Sequence, residues 1–426
     1  MACRLLCASD FHLGRRTRHL LDGIDETKCS PKAAWERFIQ TAIQKNVDAV
    51  LLVGDIVDKD NRYYETIGIL EKGIRKLEEE GILVYGVSGN HDFETLHHVA
   101  GLVSNFAILG KNGVWESVNF EKNGVPVLRL SGWSFPKEHV KENPFLNYHV
   151  ENDQNLPQVG LLHCDVNSSG SIYAPVSKAN FQNTGFAAWV LGHIHKPDVV
   201  HSQPLTFYCG SPQGLDPTER GVHGAWLLDI DSSGVVNHEI IPLAGLRWEM
   251  GEFQVDDVQN ETDFRNLLNT ALINLHTKLD FADDKPLVVG YSLLLQGRTS
   301  AYRLLDNWIE LAKPDLRKES DGIHYFFESI RNRAKANFNL EDLAHGSDPP
   351  GILAKNLLIL ENKEPNGIYM ELILKAKDLL NNIDSNPNYQ IDQISEKLDD
   401  DQLRQVMIRA GTHTLERLLA QKEGEL

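Results

Sequence analysis

Five short apolar segments along the chain are each followed closely by glycine, aspartate, asparagine or histidine. The segments span four to seven residues and are rich in valine, leucine and alanine, which predicts buried β-strands. Open α/β sheets place their sites at the carboxyl ends of strands, so we expect the polar side chains to meet at one edge. The segments and the residues after them are 3–9 with Asp10 and His12, 49–53 with Asp55, 82–87 with Asn90, His91 and Asp92, 159–162 with His163, and 188–191 with His193 and His195.

Glycine precedes the polar residues at three of these strand ends. Gly54, Gly89 and Gly192 have no Cβ atom, so the chain can turn sharply there and bring its backbone close to a bound ion. In an extended segment His193 and His195 would point to the same side, so both imidazoles would face one site.

The residue types at the strand ends are those of a two-metal site that cleaves phosphoesters. A pair of divalent ions needs carboxylate, imidazole and amide oxygen ligands, with one carboxylate that can bridge the ions. A separate imidazole can then protonate the leaving oxygen. Each motif alone is more often a capped turn or a buried histidine. Their joint occurrence at five strand ends favours the metal site.

The five motifs resemble those of the calcineurin-like metallophosphoesterase superfamily. Later segments are similar to the SbcD-type DNA repair exonucleases, in particular to their bacterial YhaO-like branch. The resemblance extends to about residue 345. The later segments that carry it are residues 209–214, 219–228, 296–299 and the stretch from 330–333 to 340–343.

The resemblance implies two divalent metal ions, expected to be manganese, with magnesium, iron(II) or another divalent ion as alternatives. Asp55 would bridge the two ions. One ion would be held by Asp10, His12, Asp55 and His195, and the other by Asp55, Asn90, His163 and His193.

The resemblance also assigns two catalytic residues. His91 would be the general acid that protonates the leaving 3′ oxygen, and Asp92 would orient or tune its imidazole. The nucleophile would be a water molecule bound to the metal ions.

Two positions depart from the resembled pattern. Asp58 stands where archaeal and eukaryotic relatives have a histidine that assists exonucleolysis, so that role is not transferred to it. Leu215 stands where related sequences often have a basic residue. Either departure could alter how DNA is held without disturbing the metal ions.

We predict an α/β fold, with a four-layer α/β/β/α metallophosphoesterase sandwich over residues 1–245. Helices are expected from residue 31 to about residue 45 and from residue 64 to residue 80. A small α+β capping domain is expected over residues 250–345, and in the resembled family this unit caps the site and contacts DNA. Its expected helices are 263–279 and 301–312, and its expected strands are 287–295 and 322–331.

Residues 346–426 are predicted to form a helical partner-binding region. A breaker at 348–351 precedes three segments with apolar residues at helical spacing, at 352–360, 368–380 and 402–419. These helices could fold onto their own protein. The resemblance implies instead that they bind the coiled-coil base of an SbcC-like ATPase.

The composition limits the location and the partners. The formal net charge of −18 is unusual for a protein that binds DNA unaided. Bound cations, a partner, or the arginines at 15, 16 and 18 could offset it, although these arginines also fit a solvated loop. The five scattered cysteines predict reduced thiols, and no apolar run or signal peptide indicates a membrane, so we expect a cytoplasmic protein.

These features predict a metal-dependent DNA phosphodiesterase that acts as an exonuclease in DNA repair. Two points stay open: whether the protein also cleaves single-stranded DNA internally, and whether it forms a homodimer. One alternative is a phosphatase or cyclic-nucleotide phosphodiesterase that acts on small phosphoesters. Another is a catalytically silent scaffold. The capping unit and the later motifs argue against the first alternative, and the intact ligands with His91 argue against the second.

Overall fold

A computed structural model describes most of the chain. The described residues are 3–17, 24–61, 64–149, 156–168, 170–182, 184–279, 285–312, 317–363, 367–384 and 399–422. The α-helices within them are α1 Pro31–Gln44, α2 Tyr64–Glu79, α3 Thr95–Ala100, α4 Ala179–Gln182, α5 Glu261–Lys278, α6 Leu305–Ala312, α7 Leu340–Ala344, α8 Pro349–Glu361, α9 Gly367–Asp384 and α10 Asp400–Lys422.

The β-strands of the same residues are β1 Cys3–Ala8, β2 Ala49–Val53, β3 Leu83–Val87, β4 Phe106–Ile108, β5 Glu116–Lys122, β6 Val125–Trp133, β7 Gln158–His163, β8 Asp165–Val166, β9 Pro175–Val176, β10 Ala188–Gly192, β11 Asp198–Ser202, β12 Leu205–Tyr208, β13 Gly224–Ile230, β14 Val236–Pro242, β15 Leu246–Gln254, β16 Val288–Gln296, β17 Arg298–Thr299, β18 Arg317–Ser320, β19 Ile323–Asn332 and β20 Lys335–Ala336.

The chain divides into two compact units. The first consists of Met1–Phe253, Leu268–Leu294 and Ile309–Arg331, and the second of Gln254–Leu267, Leu295–Trp308 and Asn332–Leu426. The helices and strands expected between 250 and 345 are present, but both units share them. The division into domains 1–245, 250–345 and 346–426 therefore stays a prediction.

Two six-stranded sheets form most of the first unit. The first sheet has the order β14-β13-β1-β2-β3-β4, and β1 to β4 are mutually parallel. The second has the order β11-β12-β10-β7-β6-β5, and its four central strands are parallel. The five strands predicted to carry the site are β1, β2, β3, β7 and β10, so they are divided between the two sheets.

Strand β1 is apolar except at Arg4 because both faces of its sheet are covered. Leu5 and Cys7 lie in a core between the two sheets. Leu6 and Ala8 lie in a second core that also contains residues of α1 and α2. Such two-sided burial produces continuous apolar runs instead of alternation. The α/β class and the sandwich are thus confirmed.

Helix α1 begins as the sequence predicts. The Ser30 side chain accepts a hydrogen bond from the Ala33 N–H at 3.2 Å, and Pro31 occupies the first turn, where its missing N–H needs no partner. Trp35 and Phe38 on α1 are buried in the core beneath the first sheet.

The outer layer over the second sheet is built differently from the helical layer over the first. Among the described residues it contains the four-residue α4 and a short 3-10 turn at Pro144–Asn147. Aromatic rings supply most of its packing, including Phe186 and Trp189, which stack with centroids 4.7 Å apart. Large rings cover the sheet here without long helices.

The helices near the C-terminus pack on one another within the second unit. Ala354 and Leu357 of α8 share a core with Leu415 of α10. A second core joins α8, α9 and α10 through Leu360, Ile373 and Leu403.

The segment at 348–351 starts helix α8 instead of breaking the chain. The Asp348 carboxylate accepts a hydrogen bond from the Gly351 N–H at 3.1 Å, and the two prolines occupy the first turn. Proline is tolerated there because the first N–H groups of a helix have no intrahelical partner.

Among the described helices, none has the length and apolarity needed to cross a membrane.

Candidate metal centre

Side chains from the ends of the five predicted strands converge in three overlapping groups. In each group the ligand atoms lie within 4.8 Å of one another. The groups are Asp10 with His12 and His195, Asp10 with Asp55 and His163, and His12 with Asp58 and His91.

Four of the predicted ligands have a left-handed backbone, which residues other than glycine rarely adopt. The φ angles are 52° at Asp10, 48° at His12, 54° at Asp55 and 103° at His193. Each such residue costs about 1–3 kcal/mol, and this kind of strain is concentrated at functional sites. The loops after β1 and β2 support each other, since the Asp10 N–H donates to the Gly54 carbonyl at 3.0 Å.

The predicted need for glycine is confirmed at all three strand ends, and at Gly89 an added Cβ atom would overlap the Asp55 carboxylate. Gly54 has a φ of +79°, and a Cβ atom there would lie 2.5 Å from the Nδ1 atom of His163. A Cβ atom on Gly192 would overlap the Val53 carbonyl oxygen and lie 2.6 Å from the same His163 nitrogen. Any side chain at either position would displace the histidine.

One pair of imidazoles points its nitrogens toward a common point. The Nε2 atoms of His12 and His195 are 3.1 Å apart, and Asp10 belongs to the same group. The outer nitrogen of each ring faces a carboxylate: His195 Nδ1 lies 2.8 Å from Glu219 Oε1, and His12 Nδ1 lies 3.4 Å from Asp58 Oδ1. This arrangement leaves both inner nitrogens available to a cation.

His163 also has an arrangement that fits a metal ligand. Its Nδ1 atom lies 3.0 Å from the Val53 carbonyl oxygen, and its buried Nε2 atom has no hydrogen-bond partner. Nε2 is 3.4 Å from Asp55 Oδ2. Burial alone would lower the pKa of His163, but the Asp55 carboxylate outweighs it and raises the pKa to about 9. A positive charge between the two groups, a proton or a metal ion, is therefore favoured.

Asn90 and His193 complete the predicted set. The Asn90 Oδ1 atom is buried and has no hydrogen-bond partner. Native structures rarely leave such an oxygen without a partner, and a cation would satisfy it. The His193 ring lies 5.4 Å from the His163 ring, and the His193 N–H donates to the Asp10 carboxylate at 3.1 Å.

The prediction that His193 and His195 lie in an extended segment is wrong. Strand β10 ends at Gly192, and His193 lies in a bend with positive φ. The bend directs the two rings to different neighbours, His193 to His163 and His195 to His12. The two imidazoles therefore do not share one face.

His91 lies at the edge of the cluster. Its Nε2 atom is 4.0 Å from Asp55 Oδ2, and its side chain is 29% exposed, so a substrate can reach it. Its Nδ1 atom lies 3.4 Å from Asp58 Oδ1 and 3.3 Å from the Lys59 N–H. Burial alone would lower the pKa of His91, but the nearby carboxylates of Asp58, Asp55 and Asp92 together outweigh it and raise the pKa.

The negative charge of Asp92 contributes to the raised pKa of His91, and its orienting role stays a prediction. Its buried carboxylate accepts hydrogen bonds from the N–H groups of Ile56 at 2.7 Å and Gly89 at 2.8 Å. Asp92 thus joins the loops after β2 and β3. The carboxylate next to the His91 ring is that of Asp58, whose sequence position indicated only a departure from the resembled pattern.

Glu219 is a second carboxylate that sequence reasoning did not place at the site. It belongs to a segment of the resembled branch, but nothing in its spacing indicates which ligand it contacts. Burial alone would raise the pKa of Glu219, but the His195 imidazole outweighs it and lowers the pKa to about 2. Leu215 is buried, and its N–H donates to Glu219 at 2.9 Å.

The predicted arginine cluster can be followed only in part. The Arg15 Nε atom lies 3.7 Å from Asp58 Oδ1, so this guanidinium borders the site. Arg16 is exposed, and Arg18 lies outside the described residues.

The five cysteines are unpaired and buried, as expected for reduced thiols, and Cys164 packs in the aromatic core.

Comparison with known protein families identifies the part of the chain that carries these side chains. Residues 3–197 match the model of the calcineurin-like phosphoesterase family. This range includes every predicted metal ligand together with His91 and Asp92.

Two relatives are similar over longer stretches. The metallophosphoesterase YhaO of Bacillus subtilis (strain 168) is 28% identical over 322 residues, which cover 71% of this chain and 75% of that protein. The DNA double-strand break repair protein Mre11 of Methanopyrus kandleri is 21% identical over 282 residues, which cover 58% of this chain and 60% of that protein. Among solved structures, the calcineurin-like phosphoesterase YfkN from Bacillus subtilis matches 65% of this chain and 98% of its own, with 12% identity and a TM-score of 0.34.

Proposed function

We propose that the protein is a dinuclear-metal phosphodiesterase that cleaves DNA as an exonuclease in DNA repair, because residues 3–197 match the model of the calcineurin-like phosphoesterase family. The convergence of the strand-end side chains supports the phosphodiesterase part most directly. Inward-facing imidazole nitrogens, a buried orphan amide oxygen and a central carboxylate suit a pair of divalent cations. Asp55 is the proposed bridge because its carboxylate is 3.4 Å from His163 and forms part of the Asp10 group.

The ions would supply an activated water molecule and neutralise charge on the phosphoryl oxygens. His91 would donate a proton from Nε2 to the leaving oxygen. The Nδ1 contact with Asp58 orients that ring, so that Nε2 faces the ligands. Asp58 also approaches His12, so one carboxylate positions both the proposed acid and a proposed ligand. The Asp92 carboxylate holds the loops that present Asp55 and His91.

DNA is the proposed substrate because of the relatives. The similarity to the Methanopyrus repair protein extends beyond the matched family range, and so does the similarity to YhaO. The second unit also has basic groups suited to a phosphodiester backbone. Arg298 of β17 lies opposite Lys335 of β20, both are exposed, and the Arg298 guanidinium lies 5.6 Å from the centre of the Phe338 ring. Basic side chains beside aromatic rings are typical of surfaces that bind single strands.

An SbcC-like coiled-coil ATPase is the proposed partner, and the C-terminal helices are the proposed contact. Helix α9 keeps several apolar side chains exposed although Ile373 is buried against its neighbours. Ile368 is 50% exposed, Met370 56% and Leu379 64%. A partner helix could cover such side chains. The unpaired cysteines fit a reducing cytoplasm, which is the proposed location.

A substrate comparison tests the proposed function. Purified protein with manganese is offered labelled single-stranded DNA, duplex DNA with recessed ends, a phosphomonoester and a cyclic nucleotide. We expect degradation of DNA from its ends and loss of this activity in His91→Ala. Rapid turnover of the two small substrates with both DNAs left intact would contradict the nuclease and favour the alternative that acts on small phosphoesters.

A further inference from the structure

Glu219 lies at the centre of a partly buried hydrogen-bond network behind one of the proposed metal ligands. Its Oε1 atom is 2.8 Å from His195 Nδ1. Its other oxygen accepts hydrogen bonds from the Leu215 N–H at 2.9 Å and the Ser211 hydroxyl at 3.1 Å. The Ser211 hydroxyl also lies 3.1 Å from Nδ1 of the buried His223. The carboxylate is therefore fixed on both sides.

The network determines which nitrogen of His195 carries a proton. An ionised carboxylate only accepts hydrogen bonds, so a neutral His195 must place its proton on Nδ1, toward Glu219. The lone pair then lies on Nε2, which faces His12 Nε2 at 3.1 Å. This is the tautomer that can bind a metal ion at the inner position.

The two proposed ion positions differ in the groups that face the outer nitrogens of their histidine ligands. His195 and His12 have carboxylates behind their outer nitrogens, Glu219 and Asp58. His163 has the backbone carbonyl of Val53 in the equivalent place. A charged acceptor makes an imidazole a stronger base toward a metal ion than a neutral carbonyl does.

We propose that Glu219 is a positioning residue that fixes the tautomer of His195 and makes the ion position of Asp10, His12, Asp55 and His195 the tighter of the two. The inference rests on the proposed function, because it requires that these side chains hold a metal ion. It adds a residue beyond position 197, where the family match ends.

Glu219→Gln tests the charge and the tautomer while the shape is nearly kept. A glutamine has one oxygen, whereas Glu219 uses two. If that oxygen accepts from the Leu215 N–H, the amide NH₂ faces His195 Nδ1 and the proton of His195 moves to Nε2. The metal-binding lone pair is then lost, although the fold keeps its contacts.

The experiment is a calorimetric titration of metal-free protein with manganese, together with nitrogen-15 NMR spectra that report histidine tautomers. Wild type is expected to bind two ions with unequal affinities. Glu219→Gln is expected to weaken the tighter step by about 10- to 100-fold, leave the weaker step unchanged, and give an Nε2–H signal for His195. Ser211→Ala, which removes one support of the carboxylate, is expected to weaken the same step by less. Glu252→Gln, at an exposed glutamate of β15, removes the same charge as a control.

The outcomes separate this inference from the proposed function. Two unaltered binding steps in folded Glu219→Gln, or equal weakening of both steps, would overturn the inference and leave the metal site intact. The inference would also be overturned if the Glu252→Gln control weakened the tighter manganese-binding step to the same extent. The effect would then come from the net charge of the protein. Wild-type protein that binds no manganese would overturn both.

Discussion

A single added methyl group at position 192 should disable the site without unfolding the protein. The Cβ atom of Gly192→Ala would overlap the Val53 carbonyl oxygen and lie 2.6 Å from His163 Nδ1 and 3.1 Å from the Ser9 Cβ atom. All three neighbours are buried, and two of these contacts are to atoms that hydrogen-bond each other. Strand β10 or the end of β2 must therefore shift.

The size of the effect follows from these distances. Ordinary contact with a Cβ atom begins at 3.4 Å, so the His163 ring must move by about 0.8 Å and the Val53 carbonyl by more. A displacement of that size in catalytic machinery lowers the rate by about 10²-fold. Overpacking in a buried region costs about 1–3 kcal/mol, which a folded domain can tolerate.

The assay combines phosphodiester hydrolysis, metal content and thermal unfolding. Gly192→Ala should lose about two decades of rate and bind the His163 ion more weakly while it still unfolds cooperatively. Gly68→Ala on α2 is the matched control. Nothing lies within 4 Å of its added Cβ atom, so the activity should stay unchanged and the stability should rise by up to about 1 kcal/mol. A Gly192→Ala protein with two metal ions and full activity would refute the argument that Gly192 fixes His163.

Three further substitutions test other parts of the site, and one truncation tests the proposed partner contact. His91→Ala should keep both metal ions and lose about 10²- to 10⁴-fold in rate. Asp55→Ala should lose both activity and metal. A metal-free His91→Ala protein would mean that His91 is a ligand instead of the acid. Asp92→Ala should lower the stability by about 1–3 kcal/mol for each buried N–H left without an acceptor, measured by denaturant unfolding, and a fully stable variant would exclude its role as a loop clamp. Truncation after Gly346 should abolish co-purification with a co-expressed SbcC-like coiled-coil ATPase and leave metal binding intact, and an unchanged pull-down would place the contact elsewhere.

The strand ends could be predicted from the sequence because apolar runs and polar residue types carry that information directly. The cap of α1 at Ser30 and the glycines before the ligands follow from local chemistry in the same way. The resemblance supplied the division of ligands between two ions, and the structure places His195 beside His12 and His163 beside Asp55 as that division requires.

The contacts behind the ligands could not be predicted, because they join residues far apart in sequence. Glu219 contacts His195 across 24 positions, and Asp92 bonds the Ile56 N–H across 36 positions. Asp92 follows His91 directly, and this adjacency gave no sign of the backbone N–H groups that its carboxylate binds. The bend at His193 was missed because a positive φ in a residue other than glycine is imposed by the surrounding site rather than by local preference.

Anomalous diffraction from crystals soaked in manganese tests the two-metal site most directly. We expect two peaks about 3.5–4 Å apart, with Asp55 between them, one next to His12 and His195 and the other next to Asn90 and His163. His91 should contact neither ion directly. A single peak, peaks away from these side chains, or an ion bound by His91 would contradict the proposed site.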